Sequence, residues 1–183
     1  YVFITTKNGF GLSFATSEIP ISGVKAGGVK AITLKADEVV SLNNFDPSND
    51  EFLTVITDKN TGKRVRLNEF EISTRTRKGL LVIREVKTNP HKVLKTFIVD
   101  NKNILGLKSS KIIDLKLTEL PISDRYSTGK EITKHNVCDA FIFQELVKKD
   151  NDDVKEEVKI PKKEIVDLND IDNRLMTIDD FLN

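Results

Sequence analysis

Glu18-Ile19-Pro20-Ile21-Ser22, followed after a mixed turn by Gly27-Gly28, is written three times along this chain. The second copy reads Glu69-Phe70-Glu71-Ile72-Ser73-Thr74-Arg75 and closes at Gly79. The third reads Glu119-Leu120-Pro121-Ile122-Ser123-Asp124-Arg125 and closes at Gly129. Each Glu precedes its Gly by ten residues, and the copies lie 51 (69 − 18) and 50 (119 − 69) residues apart. Helix-pair solenoids repeat every ~33–47 residues, whereas four-stranded blades take roughly 40–50. The period therefore points to blades.

The residues around each copy read as strands. Val2–Thr6, Phe52–Thr57 and Ile104–Leu107 are short β-branched or apolar runs, and turn residues follow at Lys7-Asn8-Gly9, Asp58–Gly62 and Lys108-Ser109-Ser110. A second strand comes next at Gly11–Phe14, Lys63–Leu67 and Ile112–Leu117. In the last, Ile113, Leu115 and Leu117 alternate with Asp114 and Lys116, the period of a half-buried strand. A third strand is expected after the Gly (Val29–Leu34, Leu80–Val86), and a fourth at Val39–Leu42, Val93–Val99 and Ala140–Leu146. Ile19, Phe70 and Leu120 share one column and Ile21, Ile72 and Ile122 another, so both are expected to face one core. The Gly column marks a positive φ or a close backbone approach. The Glu column reads as a recurrent hydrogen-bond acceptor at a blade corner.

The expected architecture is an all-β array of three propeller-like blades over residues 1–149, at about 1–50, 51–100 and 101–149, with an acidic tail over 150–183. Three blades do not close a ring, since propellers usually need at least four. The chain is accordingly read as the later part of a longer polypeptide. A single cysteine, Cys138, among 183 residues fits a reducing compartment without disulfides. No run of ~18 apolar residues offers a membrane span.

A formal net charge of +1 hides a division. Residues 1–149 carry 24 Lys+Arg against 17 Asp+Glu, hence +7, while 150–183 carry 5 against 11, hence −6. A basic array with an acidic appendage points toward nucleic acid. The positive residues recur between the repeated Glu and the third strand: Lys25 and Lys30, then Arg75, Arg77 and Lys78, then Arg125 and Lys130. One basic position per blade makes a stripe, which suits a phosphate backbone better than a pocket. Tyr126 is the lone aromatic there, against single-strand binding by stacking, and no helix offers itself to a major groove. A propeller-like module that binds another protein through the same loops is the rival reading.

With these residues in view, the stretch Phe3–Gly11 followed by Glu18-Ile19-Pro20 and Gly28–Leu34 resembles the C-terminal domain of bacterial type IIA topoisomerase A subunits, closer in wording to topoisomerase IV than to gyrase. The resemblance covers residues 1 to about 149 and implies a β-pinwheel around whose perimeter duplex DNA is bound and bent. It also implies a basic residue six positions after the acidic one, here Val24, Arg75 and Arg125, and another two after the Gly, here Lys30, Leu81 and Glu131. Lys25 and Lys130 stand one place out of register. The Gly-rich basic heptapeptide of gyrase is absent from these residues. The implied parent is a dimeric A subunit that works with an ATPase B subunit, cytoplasmic and nucleoid-associated. Its ATP, Mg and catalytic Tyr belong to other parts, so no cofactor and no catalysis are expected here.

Other chemistries lose on spacing. His91 and His135 lack partners at metal-ligand distance in sequence, and Asp167–Asp172 lacks the central Gly of a calcium loop. Thr61-Gly62-Lys63 lacks the upstream Gly of a phosphate loop. In the tail, Leu168, Ile171, Leu175, Ile178 and Leu182 fall at spacings of 3, 4, 3 and 4, the apolar face of a helix expected to dock on its own blades ahead of the alternative, a partner.

Overall fold

The computed structural model describes residues 1–143, so the tail and its expected helix lie outside the described residues. The first repeat supplies β1 (Val2–Thr6), β2 (Phe10–Phe14) and β3 (Val39–Asn44). The second supplies β4 (Phe52–Thr57), β5 (Thr61–Arg66), β6 (Ile72–Ser73), β7 (Leu80–Leu81) and β8 (Val93–Val99). The third supplies β9 (Ile104–Lys108), β10 (Ile112–Lys116), β11 (Lys130–Glu131) and β12 (Asp139–Phe143). A one-turn 3-10 helix ends each leading hairpin, at Thr16–Glu18, Leu67–Glu69 and Leu117–Glu119, and carries the repeated Glu as its last residue. The fold is all-β.

The hairpins and the fourth strands fall where the alternation places them, as in β12–β9–β10, where Ala140 and Leu107 are fully buried. The expected third strand behaves differently, because it leaves its own repeat. β6 and β7 join β2 of the preceding repeat, with Ile72 opposite Ser13 in parallel and Leu80 opposite Gly11 antiparallel. β11 likewise joins β5, placing Lys130 opposite Gly62, and Ile122 bridges Arg64 in parallel. The first and second sheets are thus each finished by the repeat that follows, while the described part of the third holds only its own β9, β10 and β12. Residues 29–34, the counterpart in the first repeat, form no strand, since the described residues hold no preceding sheet for them to join.

Two of the three apolar clusters follow the same logic and lie between successive sheets, while Val2, Ile4, Leu12, Phe14 and Ile32 form a third within the first repeat. Phe3 of β1 meets Leu53, Val55, Val65 and Phe70 of the second repeat, with the Phe3 and Phe70 rings edge to face at 5.0 Å. Ile56, Phe97 and Val99 meet Leu105, Leu107, Leu115, Leu117 and Leu120 of the third. Burial of one such side chain stabilises by ~1.5–3 kcal/mol. Thr96 of β8 adds a polar tie, its amide donating to Ser41 Oγ of β3 at 2.9 Å.

The column expectation holds only in part. Phe70 and Leu120 are buried, but Ile19 of the same column is 43% exposed, and Ile72 and Ile122 of the other are 49% and 47% exposed. The exit from the 3-10 turn breaks the two-residue period, and the following residue pair runs along the outermost position of a sheet with one side to water. In the first repeat Ile21 and Val24 are fully exposed.

All three members of the Gly column have a positive φ, and Gly79 and Gly129 also show the close backbone approach. Gly79 and Gly129 have φ of +85° and +83°, and a Cβ on Gly129 would lie 2.7 Å from the carbonyl oxygen of Gly62. Gly28 has φ of +77° but nothing within 4 Å of its Cβ position. Gly28→Ala should therefore cost only the left-handed backbone term of about 1 kcal/mol. Gly129→Ala adds a clash against backbone and should cost about 2–4 kcal/mol. Urea midpoints of the two variants check this; equal losses would show that the seam contact does not matter.

Candidate nucleic-acid interface

In the first two copies the repeated Glu is an acceptor, and its donor is in the next repeat. Glu18 Oε2 accepts the backbone N–H of Arg75 at 2.8 Å, and Glu69 Oε2 accepts that of Arg125 at 2.9 Å. A hydrogen bond to a charged group of this kind is worth about 1.5–3 kcal/mol. The basic residue six places after one Glu is therefore positioned by the Glu of the repeat before it. The same bond places a half-buried arginine beside each seam.

At the first seam the two loops are stitched together. Arg75 Nη1 donates to the carbonyl of Lys30 at 2.7 Å, the Thr76 amide to Ala31 at 2.7 Å, and the Thr33 amide to Arg77 at 2.9 Å. Thr76 holds a φ of +71°, unusual for a β-branched residue, within this double anchorage. Lys30, Arg75 and Arg77 are thereby brought to one loop pair, and Lys30 and Arg77 are exposed. Lys78 continues the cluster with its Nζ 4.0 Å from the centroid of the Phe10 ring, a cation–π contact that leaves the side chain exposed.

At the second seam Arg125 lies over the Tyr126 ring at 4.6 Å, and Lys130 is exposed at the start of β11. Two side chains absent from the sequence-based stripe hold this loop from beneath. Lys63, 1% exposed, donates from Nζ to the carbonyls of Asp124, Arg125 and Ser127 at 2.8, 3.0 and 2.8 Å. Arg64 donates from Nε and Nη2 to the Leu120 carbonyl at 3.1 and 2.8 Å, and its Nη1 reaches Asn101. Burial lowers the Lys63 ammonium to about 8, against the opposing pull of Asp124 and Glu69.

The structure thus gathers Lys30, Arg75, Arg77 and Lys78 at one seam and Arg125 and Lys130 at the next. Lys25 stands apart on the turn closed by the Ala26 amide and the Gly23 carbonyl, and no hydrogen bond ties it to the others among the described residues. A signal for Lys63 was available: it shares the alternation face of Val65 and Leu67, which are core positions, so its charge had to find partners. Among the described residues no group of three or more His, Cys, Asp or Glu side chains could hold a metal ion. Among them too, no helix is long and apolar enough to cross a membrane.

Comparison with known proteins accords with this geometry. The family model described as DNA gyrase C-terminal domain, beta-propeller, matches residues 1–43 and 51–100. The A subunit of DNA topoisomerase 4 from Bacillus subtilis (strain 168) is 35% identical over 130 residues, which are 70% of this chain and 16% of that relative. The chain therefore spans about a sixth of the length of that curated relative. Among solved structures, the C-terminal domain of DNA topoisomerase IV superposes with a TM-score of 0.73 at 33% identity, covering 78% of this chain and 46% of that one. The DNA gyrase A C-terminal domain superposes at 0.69 with 16% identity over 78% of this chain and 50% of that one, a likeness of fold. The chain belongs to the DNA gyrase C-terminal domain, beta-propeller family, within which it stands with the C-terminal domains of topoisomerase IV A subunits.

Proposed function

We propose that this chain is the duplex-binding part of a topoisomerase IV-like A subunit, holding and bending a DNA segment by its phosphates. The observation that carries the reading is the recurrence of one arrangement at successive seams. A Glu of one repeat fixes the basic loop of the next, so cationic groups stand at intervals along an array. A rigid row of charges that meets a flexible polyanion favours curvature, because the duplex gains contacts by following the row. Base readout needs a helix or ribbon in a groove, and these loops offer backbone-directed Arg and Lys instead.

In this reading strand cleavage, ATP and magnesium belong to other parts of the parent enzyme, including its dimer partner and B subunit. The chain's own task is to choose which duplex crossing is presented to them, at the nucleoid in the cytoplasm.

Filter binding with two unrelated duplexes should give equal affinities at equal salt. The affinity should fall with salt at a log–log slope of about −0.9 for each phosphate neutralised. A strong preference for one duplex would sink the backbone reading, and binding without salt dependence would favour a protein partner.

Changing Arg75, Arg77 and Lys78 together to Glu should abolish most low-salt binding and flatten the salt slope by about 0.9 per lost contact. The same reversal at Lys59, Lys102 and Lys111, exposed lysines outside the repeated basic loops, should cost far less. Equal losses would show that net charge alone governs affinity.

The acidic residues of 150–183 carry −6 against the +7 of residues 1–149, on a linker that keeps them at high effective concentration. Truncation after Lys149 should raise duplex affinity, most at low salt where screening is weakest. Unchanged affinity would refute restraint by the tail.

A further inference from the structure

Lys63 is the single buried lysine among the described residues, and its partners are all backbone carbonyls of one loop in the next repeat. The corresponding positions are Leu12 (63 − 51) and Ile113 (63 + 50), so among the described residues the device occurs once. An ammonium has three N–H donors, and here each meets one of three carbonyls, those of Asp124, Arg125 and Ser127. These residues surround Arg125 and lead to Gly129 and Lys130, the cationic part of the second seam. We propose that Lys63 is the positioning residue of this loop, its charged form fixing the conformation in which Arg125 and Lys130 meet duplex DNA. The inference rests on the duplex-binding reading and deepens it.

The geometry carries a pH dependence with a definite sign. A neutral amine has two donors and a lone pair, so it satisfies two of the three carbonyls and turns the lone pair on the third. Asp124, from the loop itself, and Glu69, from the 3-10 turn, are the charged groups that act on the ammonium, and both favour its charged form. Burial outweighs them and brings the group to about 8, below its ordinary 10.5. Because the folded value is lowered, Lys63 contributes increasing stability as pH rises from 7 to 9. Duplex affinity runs the other way, since the loop loses its third tie and the seam loses a positive charge. By linkage, bound phosphate favours the ammonium and draws a proton onto it. A purely structural lysine would make affinity follow stability, whereas this one makes them diverge.

The test is duplex affinity at constant salt from pH 7 to pH 9 for the wild-type chain, Lys63→Arg and Lys63→Met. Wild type should weaken by roughly threefold or more relative to both substituted chains, the order of one charge–phosphate contact. Lys63→Arg and Lys63→Met should both be flat by comparison, because neither side chain titrates there, and Lys63→Met should sit at the weaker level at pH 7. Coincident wild-type and Lys63→Met profiles would overturn the proposal. Should Lys63→Met fail to fold, the Lys63 Nζ resonance of the wild-type chain is titrated with and without a duplex. An upward shift of its midpoint on binding supports the linkage, and an unchanged midpoint overturns it. Absence of any duplex binding by wild type at pH 7 would instead sink the reading on which the proposal rests.

Discussion

A carboxylate on one repeat that holds a backbone amide of the next fixes the distance between successive sheets, and most of the architecture follows from that distance. With Glu18 on the Arg75 amide and Glu69 on the Arg125 amide, the following repeat has its residues 70–81 or 120–131 delivered to the free side of the preceding hairpin. There β6, β7 and β11 find a partner strand, and Phe70 and Leu120 enter the space between sheets. A single repeat would leave both its open edge and its apolar face exposed. Much of the stability therefore resides in the seams.

The same bond ties electrostatics to packing. Arg75 and Arg125 have their amides fixed by carboxylates and their neighbouring carbonyls engaged, so their positive charges are held by well-anchored backbone rather than by wandering loops. The two seams differ in how they are supported. The first is stitched loop to loop through Ala31, Thr33, Thr76 and Arg77, whereas the second is held from below by Lys63 and Arg64. Equivalent loops thus reach similar positions by unrelated side-chain chemistry, and the second acquires sensitivity to protons in doing so.

Much of this was legible in the residues. The spacing of Glu and Gly announced a repeat, and the alternation of Ile113, Leu115 and Leu117 announced its strands, because both patterns are local. The exchange of the third strand was not legible, since Leu80 and Leu81 are apolar whichever sheet they join. The outward turn of Ile72 followed from the same exchange. The acceptor role of the Glu column could be anticipated from its recurrence, but its donor lay 57 and 56 residues away. Lys63 was readable only as a contradiction, a charge on a core face.

Strand exchange between neighbours makes the unit of folding out of phase with the unit of sequence. Because every seam joins a residue to one about a period later, a tandem gene duplication of one period preserves all seams wherever its breakpoints fall. The inserted copy receives a strand from the repeat after it and lends one to the repeat before it. Array length is therefore free to drift by whole blades, carrying one more or one fewer cationic loop each time. An excision cut at a repeat boundary fares worse, because the last retained hairpin keeps its own strands and loses the borrowed one.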